Sequence, residues 1–94
     1  MKLLGRERLA QFVLKHRDAS SWMTVWEAEV TGASWRTPSD IKSQYASASF
    51  LADNTVIFNV KGNKYRMATT VAYNTQLVVV RWVGTHAEYS RSQF

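Results

Sequence analysis

Side chains that can bind phosphate or move a proton gather in the last third of the sequence. They fall in two short stretches, KGNKYR and GTHAEY, and comprise Lys61, Lys64, Arg66, His86 and Tyr89. Such residues suit the cleavage of RNA by its own 2′-hydroxyl group, which attacks the adjacent phosphate. That reaction needs a group that removes a proton, cations that stabilise the phosphorane, and a group that protonates the leaving oxygen.

The cations divide between two tasks according to their shape. The guanidinium groups of Arg66 and Arg81 offer planar forks, which suit the charge of a phosphorane. Lys61 and Lys64 carry compact charges, and we predict that they hold flanking phosphates. Asn63, in the turn between the two lysines, joins this predicted RNA-binding set.

Proton transfer falls most naturally to His86, because the unperturbed pKa of histidine lies near neutrality. The alternative for His86 is structural, since a histidine at the end of a strand or helix often bonds to a backbone carbonyl. We predict that Tyr89 stacks on a base or takes part in proton transfer. His16 ends a predicted helix in LKHRD, where its imidazole suits the helix dipole, and that structural role is sufficient for it.

We expect neither a metal nor a cofactor. The sequence has two histidines, far apart, and no cysteine, so a zinc site is improbable. No glycine-rich phosphate loop precedes a predicted helix. Glu27 and Glu29 are two residues apart on a predicted helix and therefore do not face each other as an acid pair would.

The distribution of charge favours a nucleic-acid partner. The net charge is +5, and residues 61–94 contain five basic residues but one acid, Glu88. The first sixty residues are close to neutral. A basic excess in one part of a small domain is the electrostatic footprint of a protein that binds nucleic acid.

Length and composition predict one domain over residues 1–94. The hydrophobic content of 46% suffices for a modest core, so disorder is not expected. The absence of cysteine permits a reducing compartment. Neither a signal peptide nor an apolar run of spanning length is evident, so we expect a soluble cytoplasmic protein.

The first half of the chain has the pattern of helices. Leu9, Phe12 and Val13 recur at helical spacing after a short apolar start at 2–4, which is a candidate edge strand. The residues at 18–21 offer capping side chains before a second helix, which ends at Gly32. In that second helix, one face is predicted to contain Trp22, Val25, Trp26 and Val30. These two helices should form a hairpin.

A short third helix is predicted to begin around 37–40, followed by a connecting loop over 43–54. Trp35, beside Arg36 in a loop, is open to a stacking role.

From Thr55 the hydrophobic period changes to two. The stretches TVIFNV, KYRMATTVAY and QLVVVRWV are separated by Gly62-Asn63 and Asn74-Thr75, which suit two-residue hairpin turns. This pattern predicts a three-stranded antiparallel meander. Turns of that length would set Lys61 opposite Lys64 and Tyr73 opposite Gln76.

That pairing assigns the strand residues to two unlike faces. One is almost wholly apolar and can receive the helices: Val56, Phe58, Val60, Tyr65, Met67, Val71, Tyr73, Val78, Val80 and Trp82. The other carries the cations: Asn59, Lys61, Lys64, Arg66, Arg81 and Thr85, with Ile57, Val79 and Val83 among them. Charges on the outer face of a half-buried sheet are common, and lysine at a hairpin tip discourages edge-to-edge association. This face, however, contains no acid, and the like charges at its tip favour an anion.

The stretch IFNVKGNKYRMATTVAYNTQLVVVRWVGTHAEYSR resembles the C-terminal half of HigB-type toxins. These are messenger-RNA endonucleases of the RelE superfamily from bacterial type II toxin-antitoxin systems. The most specific parts are Phe58 to Arg66 and Gly84 to Tyr89. The N-terminal helices agree in order and length, with Trp22, Trp26, Trp35 and Pro38.

The resemblance implies an α+β, RelE-like fold in which a two-helix N-terminal hairpin packs on a small antiparallel β-sheet. It implies a metal-independent mRNA interferase that cuts messenger RNA on the ribosome and is silenced by a HigA-type helix-turn-helix antitoxin. By the same resemblance, Arg66, His86 and Tyr89 are the expected catalytic positions. GTHAEY puts Thr85 or His86 where other branches of the superfamily have Arg or Lys.

Two other functions stay open from the sequence. One is a non-catalytic RNA-binding module, which would show salt-dependent affinity for RNA but no cleavage. The other is a protein-interaction domain whose basic face docks an acidic partner, such as an antitoxin peptide.

Overall fold

The computed structural model describes residues 1–91, in which one strand precedes a run of helices, four strands follow, and a short helix comes last. The strands are Lys2–Leu4 (β1), Ser49–Phe50 (β2), Thr55–Val60 (β3), Tyr65–Ala72 (β4) and Leu77–Thr85 (β5). The helices are Arg6–Lys15 (α1), Ser20–Gly32 (α2), Pro38–Gln44 (α3) and His86–Ser90 (α4), with a turn of 3₁₀ helix at Arg17–Ala19. None of the helices in this part of the chain has the length and apolar character needed to cross a membrane.

The five strands form one mixed sheet in the order β1-β5-β4-β3-β2. β1 runs parallel to β5, and the other neighbours are antiparallel. The predicted α+β class is confirmed, and the predicted meander corresponds to β3, β4 and β5. The edge strand expected at 2–4 is β1. The segment expected to be a loop contains the two-residue strand β2, which pairs with β3.

Both hairpin registers match the sequence prediction. Val60 pairs with Tyr65 at the first turn, and Ala72 pairs with Leu77 at the second. In the first turn the N–H of Lys64 donates to the carbonyl of Lys61 at 3.3 Å. We call residues 61–64 the hairpin tip.

A β-bulge in β5 changes which side chains share a face. Ala68 pairs with Trp82, whereas Thr69 pairs with Val80, so Arg81 has no partner on β4. The extra residue reverses the alternation beyond it. The prediction was therefore wrong for Trp82, which leaves the core face, and for Val83, which joins it. It was also wrong for Thr85, which pairs with the core residue Tyr65 and is on the same side of the sheet.

The core lies between the helices and one face of the sheet. Leu9 and Phe12 of α1 and Trp26 of α2 pack there in one buried cluster with residues of the central strands. The opposite face, which we call the outer face, carries Arg66. The helices therefore support the sheet from behind.

Two aromatic and apolar predictions in the helical half were wrong. Val25 is 58% exposed, and the buried stripe of α2 contains Met23, Trp26 and Val30 instead. Trp35 is 3% exposed, because α3 folds back against the core. The indole of Trp35 stacks on the ring of Phe58 with centroids 6.4 Å apart. Its indole N–H also donates to a side-chain oxygen in α3, so Trp35 is not available for stacking on RNA.

Candidate functional site

The side chain of Arg66 lies on the outer face near the end of the sheet where α4 begins. Arg66 pairs with Asn59 on β3 and with Gly84 on β5. The guanidinium carbon of Arg66 is 5.1 Å from the ring centroid of Tyr89, which is a cation–π distance. Its Nε atom is buried and has no hydrogen-bond partner within residues 1–91.

Gly84 makes room for a second aromatic ring beside this pair. A Cβ atom at Gly84 would lie 2.5 Å from a ring carbon of Trp82, so a side chain there would displace the indole. The indole of Trp82 lies 6.2 Å from the ring of Tyr89, centroid to centroid. The bulge and Gly84 together thus bring Trp82, Tyr89 and Arg66 into one cluster on the outer face.

The short helix α4 is held in place by a capping box. The N–H of Thr85 donates to Oε1 of Glu88 at 2.8 Å, and the N–H of Glu88 donates to the Thr85 hydroxyl at 3.1 Å. The first of these bonds is the largest cause that holds the pKa of Glu88 below its ordinary value. Because the helix starts directly after β5, Tyr89 is one turn in and returns over β4.

His86 is the first residue of α4 and lies beside the hairpin tip. Its backbone N–H donates to the carbonyl of Lys64 at 3.3 Å. Its side chain is exposed and makes no hydrogen bond, ion pair or ring contact with the rest of residues 1–91. The imidazole is therefore available to a ligand on this side of the molecule.

Asp18, which the sequence analysis did not associate with the site, joins the hairpin tip to the helices. Its carboxylate forms an ion pair with Lys64 and accepts a hydrogen bond from the Tyr65 hydroxyl at 2.7 Å. These two bonds, the one from Lys64 first, lower the pKa of Asp18 to about 2. The same ion pair raises the pKa of Lys64.

The expectation that Asp18 or its neighbours cap the second helix was wrong. No side chain caps the N-terminus of α2, because Asp18 is drawn into the 3₁₀ turn and towards the sheet. The hairpin tip is accordingly not free of acids. Because Tyr65 belongs to the core, Asp18 lies on the helix side of the sheet, and the prediction that Lys64 extends over the outer face was wrong. No local pattern could have revealed the pair with Lys64, whose members are 46 residues apart.

The remaining predicted RNA-binding residues do not share one face, since Lys61 also borders a pocket lined by residues of α2. Lys61 and Asn63 are exposed at the hairpin tip. Arg81, at the bulge, donates from Nε to the Thr70 hydroxyl at 3.1 Å. Thr70 is four residues along β4 from Arg66, or about 13 Å, so the two arginines do not converge.

His16 occupies a structural position at the end of α1. Its backbone N–H donates to the carbonyl of Phe12, and its ring stacks on that of Phe12 with centroids 4.4 Å apart. Across residues 1–91, no group of three or more histidine, aspartate or glutamate side chains is placed to hold a metal ion.

Comparison with known protein families shows that the chain matches one of them. A sequence model for the HigB toxin, described as a RelE-like toxic component of a toxin-antitoxin system, matches residues 19–92. The matched region starts one residue after Asp18 and includes the hairpin tip and α4. No curated protein matches the chain.

Proposed function

The chain belongs to the HigB family of RelE-like toxins, the toxic components of toxin-antitoxin systems, and on this premise we propose that it is an endoribonuclease. Membership in that family implies an antitoxin as its partner. The proposed substrate is messenger RNA on the translating ribosome, and the proposed antitoxin is of the HigA helix-turn-helix type. The proposed place of action is the cytoplasm.

The state of Arg66 carries the proposal. A guanidinium held over the Tyr89 ring, with its Nε buried and without an acceptor in residues 1–91, retains unused capacity for hydrogen bonds. A buried polar group without a partner is costly, and a phosphate oxygen that displaced the groups covering Nε would supply the missing acceptor. Arg66 thus suits an anion bound at the outer face.

The reaction that suits these residues needs no group beyond the chain and the RNA. The 2′-oxygen forms a bond to phosphorus as its proton leaves, and the bond from phosphorus to the 5′-oxygen of the next nucleotide breaks. We assign proton transfer to His86, because an imidazole can both accept and donate a proton. Arg66 would stabilise the charge of the phosphorane, as preorganised cations do in phosphoryl transfer.

Tyr89 has two candidate roles in this scheme. Its ring centroid lies 5.1 Å from the Arg66 guanidinium carbon and 6.2 Å from the ring centroid of Trp82. It would therefore fix the orientation of Arg66 and offer a surface on which a base can stack. Its hydroxyl is the second candidate for proton transfer beside His86.

The cations around this centre would hold the strand. Lys61 and Asn63 are exposed at the hairpin tip and Arg81 is exposed at the bulge, so the phosphates that flank the cleaved bond would reach them. Lys64 would first have to release Asp18 or to bind phosphate with the ammonium protons that the carboxylate leaves unused. These assignments support binding of RNA along the tip and sheet rather than at a single point.

The test is cleavage of RNA by the purified chain alone in EDTA, and cleavage of messenger RNA on translating ribosomes in magnesium buffer. We expect cleavage to continue without divalent metal and to leave a 2′,3′-cyclic phosphate or a 3′-phosphate. A matched RNA with one 2′-deoxy nucleotide at the cleaved position should be resistant. Cleavage of that RNA, or loss in EDTA of a cleavage that the chain alone carries out with metal present, would contradict the mechanism.

A variant separates cleavage from binding. Arg66→Ala should abolish cleavage and growth inhibition while unfolding at nearly the same urea concentration as the parent chain. If the parent chain binds RNA with steep salt dependence but never cuts it, a non-catalytic RNA-binding function replaces this proposal.

A further inference from the structure

β5 lacks a strand neighbour along more than half of its length on the α1 side. β1 pairs only with Leu77 to Val79, whereas β5 continues to Thr85, and within residues 1–91 no strand continues in its place. The second half of β5 instead borders a groove of about 530 Å³ whose other wall is α1. We call it the α1 groove.

The α1 wall of the groove presents cations. The cations are Arg8 and Lys15. They share one stripe of the helix with the neutral Gln11, because the three residues recur at intervals of three and four. Neither Arg8 nor Lys15 has an ion-pair partner among the described residues. His16 also lines the groove.

The acid in the groove does not balance these charges. Glu88 contributes the carboxylate there, and that group accepts the N–H of Thr85 in the capping box of α4. The groove therefore keeps a positive balance. Its apolar surface comes partly from Leu14, which is 68% exposed, and from the ring of Trp82.

Trp82 connects the groove to the candidate catalytic centre. Its indole lines the α1 groove and also lies 6.2 Å from the ring of Tyr89, which covers Arg66. A strand of RNA with its cleaved phosphate at Arg66 would thus reach the groove by passing one aromatic residue.

We propose that the α1 groove is a binding site for single-stranded RNA, which holds the nucleotides on one side of the cleaved bond. Arg8 and Lys15 would bind phosphates, and the apolar wall at Leu14 and Trp82 would contact a base. A groove that combines cations with an aromatic side chain is the usual arrangement for unpaired nucleic acid. This inference rests on the proposed function, because it assumes that RNA lies across the outer face.

The test measures binding of a 2′-deoxy oligonucleotide of about 12 nucleotides, which cannot be cut because it lacks the nucleophile. The variant is Arg8→Ala/Lys15→Ala, and the matched control, Lys2→Ala/Arg36→Ala, removes the same charge outside the groove. We expect the groove variant to bind about tenfold more weakly than the control. The slope of log affinity against log salt should fall by about 1.4, for two lost phosphate contacts.

Cleavage kinetics on RNA provide the second readout. The groove variant should raise KM by a similar factor and leave kcat within about twofold, because its residues bind the strand outside the reacting phosphate. Equal affinity and equal salt slope for variant and control would overturn the inference. So would a variant that binds the oligonucleotide normally but no longer binds the antitoxin, since the groove would then be a protein-docking site.

The two proposals can fail separately. If the parent chain binds the oligonucleotide through the groove but cuts no RNA, the catalytic proposal fails and the groove remains a binding site. If the parent chain cuts RNA and the groove variant behaves like the control, the groove proposal alone fails.

Discussion

Lys64 makes two contacts with segments far from it in the chain. Its ammonium group binds Asp18 between α1 and α2, and its carbonyl accepts the N–H of His86 at the start of α4. One residue of the hairpin tip therefore links the helices behind the sheet to the helix that carries the candidate proton-transfer group.

Asp18 should make the stability of the protein depend on acid. Its pKa is about 2 in the folded protein, chiefly because of the bond from Lys64. The pKa of an unperturbed aspartate is higher, about 3.9. A lowered pKa stabilises the fold above pH 4, and this contribution is lost as the pH falls from about 4 to about 2.

The measurement is urea unfolding at several pH values between 2 and 6. Asp18→Asn should lower stability at pH 6 and flatten the pH dependence below pH 4. Asp53→Asn is the matched control, since Asp53 is exposed and has no hydrogen bond or ion pair within the described residues. If both variants retain the parent's slope, the ion pair does not contribute to folding.

The roles of His86 and Tyr89 should separate on substitution. His86→Gln should lower the cleavage rate by roughly 10²–10⁴-fold and leave RNA affinity nearly unchanged, as expected for a positioned acid or base. Tyr89→Phe keeps the ring over Arg66 and should be mild, whereas Tyr89→Ala removes that ring and should be severe. Single-turnover cleavage at saturating RNA distinguishes the cases. An equally large defect in Tyr89→Phe would instead assign the proton transfer to the phenol.

At the scale of elements, the strands and their turns follow from the sequence, but the bulge does not. Alternating β-branched residues mark β3, β4 and β5, and Gly62-Asn63 suits the first turn. Nothing within QLVVVRWV shows that Arg81 is an inserted residue, because the run is apolar on both faces around it. The bulge becomes visible only when β5 is aligned against β4, and it decides where Trp82 lies.

Some residues of the candidate site could likewise be predicted from the sequence, and others could not. Arg66, His86 and Tyr89 could be selected from residue type and order, and the contact between Arg66 and Tyr89 agrees with a turn after β5. Their chemical roles stay predictions. Asp18 and the wall formed by α1 could not be found, because both depend on contacts between distant parts of the chain.

The capping box is expected to hold α4, and with it Tyr89, in position. α4 has five residues and none of them is buried, so packing contributes little to its position. Loss of a cap costs about 1 kcal/mol, which is large for one short helix and small for the whole fold. Thr85→Ala should therefore reduce cleavage by loosening Tyr89 over Arg66, with little change in the urea midpoint.

Thr85→Ser is the conservative control, because serine keeps the hydroxyl that accepts the Glu88 N–H. It should restore most of the activity. A Thr85→Ala variant as active as the parent would show that the site does not depend on the cap.

For the whole molecule, the sheet supports two surfaces that differ in purpose. The helices and the core face supply stability, whereas the outer face and the α1 groove contain the groups that we propose bind RNA. β1 contributes to both, because its three residues pair with β5 and its end at Leu4 leaves the rest of β5 open to the groove. The connection from β1 into α1 therefore has to turn sharply at Gly5.

Gly5 should be essential for folding stability, whereas Gly32 should not. Gly5 has φ +89°, and a Cβ atom there would lie 2.6 Å from the carbonyl oxygen of Val80. Gly5→Ala combines backbone strain with a clash against backbone and should cost about 2–4 kcal/mol. Gly32, at the end of α2, has nothing within 4 Å of the same position, so Gly32→Ala should gain about 0.5 kcal/mol. Urea unfolding of both variants checks the contrast. Equal stability would mean that β1 and α1 can shift away from β5 without loss, and the α1 groove would then have no fixed wall.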